Sequence, residues 1–461
     1  MKRASFFSVF LKCLTILIIA ASTVAAQSKK DKENEKKLRE AADRAFLQKN
    51  YRVAADGYAQ AIALIATNPY GHYWKGLAHY YLKEYDPAVT ELTLAMTQGW
   101  DPTKIYRTRA LSYSELKNYD AAIGDLKKGL VAMPTDLALL RDLGTVYYTK
   151  NDTAAALDTF QKAVKLAPND ADLHYNLALI YFKTGNVTQQ GIEADTALAK
   201  GTRMPGDAFY LLGDARQKQK NASAAIDAYQ KAINSKPDIY LAYRNLAEVF
   251  RSEWRLSDAI AISKKGLIAF PNDGNIYTDL AWYYSLNDRP DDSVQAAKAG
   301  ITILPNVYTA YTNLCRAYND IKNYDQAIVA CTTALKLNAN DGETFYYLGR
   351  AYDNLGRTSE ANTAFKRAVV GLVDYTTANP GYSDGFYLLG NAYLSDRQRD
   401  KAEEAYIKCL MLSPRFVKAK VNLGLIYVFK KNKTGAQQQY DQLLTLDSAY
   451  AAKLKAEIDK M

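Results

Sequence analysis

Histidine and cysteine are the scarcest chemically useful residues in this 461-residue chain, with three of the first and four of the second. So few soft ligands, none at metal-ligand spacing, exclude a Cys/His metal framework. His72 and His79 share one helical face, but two ligands do not make a metal site, and His174 stands alone. No Gly-rich phosphate loop, nucleophile elbow or paired His-Glu zinc motif occurs. Carboxylates are plentiful, yet no motif fixes any two of them as an acid-base pair. The sequence therefore predicts no catalytic residue, no cofactor and no metal, and the chain reads as a non-enzyme. Glycine and proline are not enriched, and 48% apolar with 23% charged residues is too apolar for disorder.

Long apolar runs are also rare. The one from Phe6 to Ala21 follows Lys2 and Arg3 and precedes Val24-Ala25-Ala26. A positive start, a short apolar segment and small residues at the end predict a secretory signal peptide over 1–26, cleaved near Ala26. The run is short for a spanning helix, and Cys13 lies inside it, too early to be a lipid-modified cysteine. The expected product is exported, periplasmic or extracellular, with the membrane reached only through envelope complexes. Without Lys2, Arg3 and Lys12 there remain 56 basic residues against 49 acidic, a net charge of +7. That mild excess, with no basic stripe, reads as solvated surface, and no nucleic-acid partner is predicted.

What the chain does have is a register. Ala138 to Pro168 holds two helical patterns: Leu143-Gly144 with Tyr147, then Ala156, Phe160 and Ala163, separated by Lys150-Asn151-Asp152. The small-residue slot of Gly144 recurs at Ala42, Gly76, Ala110, Ala178, Gly213, Ala247, Ala281, Cys315, Gly349, Gly390 and Gly424. Steps are 34 residues except for 35 before Gly213 and 41 before Gly390. Leu precedes most of these residues and Tyr follows most by three, while Pro134, Pro168, Pro237, Pro271, Pro305 and Pro414 mark repeat ends.

This pattern resembles the tetratricopeptide-repeat family, whose unit is a helical hairpin of 34 residues. The resemblance implies an all-α fold, a right-handed α-solenoid superhelix of about twelve such hairpins over 38–446. A charged leader, 27–37, precedes the array and should fray, and a capping helix, 447–461, follows it on the stripe Tyr450, Leu454 and Ile458. Irregularities are expected at 199–206 and at 369–383, where seven extra residues extend a second helix before Asn379-Pro380-Gly381.

The resemblance also implies a partner surface on the concave wall. The positions of the first helices expected to face a partner, in the same repeat phase, are Tyr73, Tyr80, Arg107, Arg141, Tyr148, Tyr175, Phe182, Tyr210, Arg244, Arg251, Trp282, Arg316, Tyr346, Arg350 and Tyr387. Aromatic and Arg side chains suit protein interfaces, so the expected role is a scaffold or adaptor for protein or peptide partners in the cell envelope. Polysaccharide or peptidoglycan in the same groove is the alternative. Some family members hold a peptide carboxylate with Lys, Asn and Arg from three first helices. Here Arg244 with Asn245, and Asn313 with Arg316, are fragments only. Cys315 holds a small-residue slot and Cys331 the aromatic slot facing it across a turn near Lys322-Asn323, so the two predict either a disulfide or a pair of buried thiols.

Overall fold

A computed structural model describes residues 28–461, and the predicted signal peptide with its cleavage site lies outside them. Among the described residues all regular elements are helices, and successive helices pack as hairpins. The chain divides into two compact units, one ending at Arg203 and the other spanning Met204–Met461. The division falls inside the irregular connector 199–206.

One device makes every hairpin turn. Between the helices Leu137–Thr149 and Thr153–Leu166, Asn151 is left-handed, with φ 72°. Asp152 N then donates to Tyr147 O at 2.9 Å, while the Asp152 carboxylate accepts from Ala155 N at 3.1 Å. The left-handed residue closes one helix and the next begins at its successor, whose side chain caps it at Asn118, Asp152, Asn186, Asn221, Asn323 and Asn432. The same step recurs at Lys49, Lys83, Lys117, Gly185, Lys220, Trp254, Asp288, Lys322, Gly356, Arg397 and Lys431. All but Gly185 and Gly356 carry a Cβ, so each of those turns accepts a cost of about 1 kcal/mol that hairpin packing offsets.

The small slot has an equally local cause. A Cβ on Gly144 would stand 2.7 Å from the Phe160 ring, and Gly213 meets Tyr229, Gly349 meets Phe365 and Gly390 meets Tyr406 in the same way. In each case the partner lies sixteen residues on, directly across the hairpin. Cys315 and Cys331 occupy that same pair of positions and are joined by a disulfide, Cα to Cα 5.2 Å. Cys409 is a buried free thiol.

The first unit begins earlier than the sequence reading places the array. Its first helix runs over 28–47, so the charged stretch 27–37 is helical from residue 28 and does not form a separate frayed leader. The reason lies in its charge spacing: Glu33–Lys37, Glu35–Arg39 and Lys36–Glu40 pair along one helix at i,i+4. Glu35 also accepts from Asn68, and Asp43 accepts from Tyr58 and Tyr70, which dock this helix on its hairpin partner and on the next repeat.

In the second unit the insertion lengthens the helix Thr358–Ala378 to 21 residues, against 14 in the preceding second helix, Tyr324–Leu337. The added turns run on past Val373 to Ala378. Gly371 packs backbone to backbone on Gly342: a Cβ on Gly342 would meet Leu372 N at 2.5 Å. At the end of the chain, Ser448–Ile458 covers the last hairpin with Ala451, Leu454 and Ile458, and Leu454 fills the space above Gly424.

Candidate functional site

In the first unit, the predicted surface residues form a row on successive first helices, and most touch one another's neighbours. Tyr73 stacks on Trp100 with ring centroids 5.0 Å apart, and Tyr80 lies edge-on to Tyr81. Arg107 Nε donates to Asp142 at 2.6 Å, and Arg141 to Asp170 at 2.5 Å, each reaching the next repeat. Lys183 Nζ lies 4.6 Å above the Tyr148 ring, and Tyr175 and Phe182 are half-buried. This is a polar and aromatic face whose arginines, Arg107 and Arg141, are already matched by carboxylates.

The second unit treats the same positions differently, because its repeats curl back on themselves. Arg251, on the helix Tyr240–Ser252, reaches Asp384 on the helix Ser383–Ser395, with Nη1 to Oδ1 at 3.1 Å. Further along, Arg415 Nε donates to Glu253 O at 3.0 Å, Lys418 Nζ to Asp288 at 3.0 Å, and Tyr450 Oη to Asp288 at 2.9 Å. Three of these contacts tie the seventh and eighth repeats to the last two, and the fourth ties the eighth to the capping helix. The open groove expected from the repeat pattern becomes an enclosed cleft here.

Arg251 and Arg316 are therefore not open groove positions. Both are buried, at 4% and 3% exposure, Arg251 against Asp384 and Arg316 against side chains of its own and the neighbouring first helices. Arg251 also takes Glu248 Oε2 at 2.8 Å. Arg316 donates to Asn313 Oδ1 at 2.6 Å and Glu343 Oε1 at 3.3 Å, and its guanidinium lies 4.0 Å over the Trp282 ring. Arg244 is paired with Asp279 at 2.7 Å, Arg350 with Asp320 at 3.4 Å, and Tyr387 packs on Phe416 with ring centroids 4.8 Å apart. Tyr210 and Tyr346 lean on Tyr229 and Tyr347. The fragments of a carboxylate grip are likewise occupied: Asn313 Nδ2 donates to Thr278 O and Asn245 Nδ2 to Tyr229 Oη.

The cleft has two compartments, of about 370 and 250 Å³, which share Thr309, Asn313, Glu343, Tyr382 and Leu388 in their walls. The larger is bounded by the lengthened helix through Leu372 and Tyr375 and by the start of the helix Gly342–Asn354. Tyr375 and Tyr382, both 42% exposed, meet edge to face across 5.9 Å at its rim. Burial pushes the Asp279, Asp341 and Asp384 carboxyls upward, against Arg244 at Asp279 and Arg251 at Asp384. Glu343 keeps 30% of its side-chain surface open to the cleft, yet lies deep enough that desolvation pushes it up to about 7. Chemically the cleft can hold charge and hydrogen-bond a ligand. Among the described residues no group of three or more His, Cys, Asp or Glu residues is placed to hold a metal ion.

Asp341, Glu343, Asp384, Tyr308, Tyr375 and Tyr382 escaped the sequence reading. The 41-residue step pointed to the insertion that carries Tyr375 and Tyr382, but no motif distinguished the acids.

Among known families, the chain matches the TPR repeat over 144–185 and the tetratricopeptide repeat over 210–274, 308–341, 343–369, 383–416 and 417–450. No curated protein matches it. Among solved structures it is similar to the APC/C hetero-tetramer Cut9–Hcn1, at 16% identity and TM-score 0.35, covering 92% of this chain and 96% of that one. It is also similar to YrrB, a TPR protein with an unusual peptide-binding site, at 18% identity and TM-score 0.37, covering 40% and 95%. PilF of Pseudomonas aeruginosa matches at 15% identity and TM-score 0.39, covering 46% and 96%.

Proposed function

The chain belongs to the tetratricopeptide-repeat family, and on that footing we propose that it is a non-catalytic scaffold that binds protein or peptide partners through the inner faces of its first helices. Proteins of this family are generally scaffolds that bind proteins or peptides. The reading supported best is an exported adaptor of the cell envelope, taking its partner along the aromatic and polar row of the first unit and at the cleft of the second. The observation that carries it is the repetition of that row: Tyr73, Arg107, Arg141 and Tyr175 hold one repeat phase on successive helices, as a surface for an extended partner requires. Export rests on the sequence of residues 1–26.

Crosslinking in intact envelopes, followed by affinity capture and mass spectrometry, tests the proposal. A defined protein should be captured by the native chain and lost with a Tyr175→Ala, Tyr210→Ala, Arg244→Ala variant. Recovery of wall polymer alone, or equal capture by the variant, would overturn it, and a chain retaining residues 1–26 in the cytoplasm would end the export reading.

A further inference from the structure

Charge is out of balance inside the second unit's cleft. Its walls carry four carboxylates, Asp279, Asp341, Glu343 and Asp384, against two guanidiniums, Arg244 and Arg316. Behind them Arg251 is already shared between Asp384 and Glu248. The larger compartment is lined by no Lys, Arg or His at all. An acidic interior in a chain of net charge +10 is costly to hold dry, since buried charges need partners.

Three carboxylate oxygens there are unengaged. Every hydrogen bond to Asp341 falls on Oδ2, from Thr344 N at 2.9 Å, Thr344 Oγ1 and Thr312 Oγ1 at 3.4 Å, which leaves Oδ1. Those bonds also cap the helix start, so its partial positive charge is already met. Glu343 uses Oε1 for Arg316 and leaves Oε2. Asp384, 2% exposed, has Oδ2 buried without a hydrogen-bond partner. Around the larger compartment stand the rings of Tyr308, Tyr375 and Tyr382, whose faces attract cations.

We infer that this cleft is a binding site for a primary alkylammonium group, held by Asp341 and Glu343 and enclosed by the rings of Tyr308, Tyr375 and Tyr382. An ammonium presents three donors on a compact charge, which matches unengaged carboxylate oxygens and Asn side-chain oxygens. A volume of about 370 Å³ accommodates a lysine-sized chain. The inference deepens the scaffold reading and rests on it only for the source of the amine, a lysine side chain of a protein partner. Glu343 faces Arg316, Asp341 and Asp384, and Tyr375 feels the same carboxylates. With Glu343 protonating near 7, the site loses a negative charge as pH falls from 8 to 6.

Titration calorimetry of the full chain tests this with three probes: Nα-acetyl-lysine methylamide, its Nζ-acetylated form, and pentylammonium. The lysine probe should bind at pH 8 about tenfold more tightly than its Nζ-acetylated form. It should weaken several-fold at pH 6, where the lysine ammonium itself is unchanged. Glu343→Gln should weaken it comparably, and Tyr375→Ala, a change at the exposed rim that leaves folding intact, should weaken it as well. Stronger binding of the lysine probe than of pentylammonium assigns the amine to a polypeptide; the reverse assigns it to a free amine. No heat from either amine at millimolar concentration, equal binding of the acetylated form, or unchanged affinity in both variants would overturn the inference. A scaffold that captures its partner while these probes fail to bind loses only this inference; probes that bind while no partner is captured leave the cleft standing and remove the scaffold.

Discussion

Arg251 Nη1 lies 3.1 Å from Asp384 Oδ1 although 133 residues separate them in the chain. Both side chains are buried, so this pair is a long-range closure of the second unit, made where four repeats of the stack complete a return.

Removing one partner leaves the other charged and buried. Arg251→Met should destabilise the second unit by about 3–5 kcal/mol, because Asp384 would then face Glu248 with no cation between them. Arg251→Met with Asp384→Leu should recover most of that loss. Arg255→Ala, which breaks an exposed pair with Asp258, should change stability by less than about 1 kcal/mol. Urea unfolding of the three variants checks all of this, and an Arg251→Met protein as stable as the native one would show that the closure contributes nothing.

The disulfide stands where other repeats place a small residue under an aromatic ring. Closing a loop of 16 residues should stabilise the ninth hairpin by about 3 kcal/mol, so Cys315→Ala with Cys331→Ala lowers the unfolding free energy by that amount. Cys315→Gly with Cys331→Phe should lose less, since it restores the contact seen between Gly144 and Phe160. Denaturant titrations with and without reductant measure both, and reductant should leave the two variants unaffected.

Glu343 gives the second unit a pH dependence. Its folded pKa of about 7 is above the ordinary 4.5, so the unfolded chain releases this proton first. The stability it contributes is complete below about 4.5 and is lost as pH rises through about 7. Glu343→Gln should therefore melt at the native temperature at pH 4, and several degrees above it at pH 8. Calorimetric scans at the two pH values decide the matter, and a difference of opposite sign would show that Arg316 outweighs the desolvation.

Two glycines predict opposite signs. A Cβ at Gly124, within the helix Tyr119–Ala132, meets nothing within 4 Å, so Gly124→Ala should stabilise by up to about 1 kcal/mol. At Gly342 it meets the backbone of Leu372 and Gly371, which has no side chain to move aside. Gly342→Ala should cost about 1–3 kcal/mol and weaken amine binding by shifting a wall of the cleft. Thermal melts of the two single variants give the comparison.

What the sequence alone determined about this protein is what depends on near neighbours. Gly144 and Phe160, Cys315 and Cys331, or Asn151 and Asp152 act within one hairpin, so spacing reveals them, and twelve repetitions make the all-α solenoid legible. The helical charge pairs that begin within 27–37 are equally local, but without apolar residues they leave no periodicity that separates a helix from a solvated segment. Tertiary structure alone decided which surface positions are free. Each repeat adds a small rotation to the last, and only their accumulated sum brings Arg251 to Asp384 and Lys418 to Asp288. No local rule reports that sum, so Arg251 and Arg316 looked like open groove residues, and the acids of the cleft looked like ordinary surface.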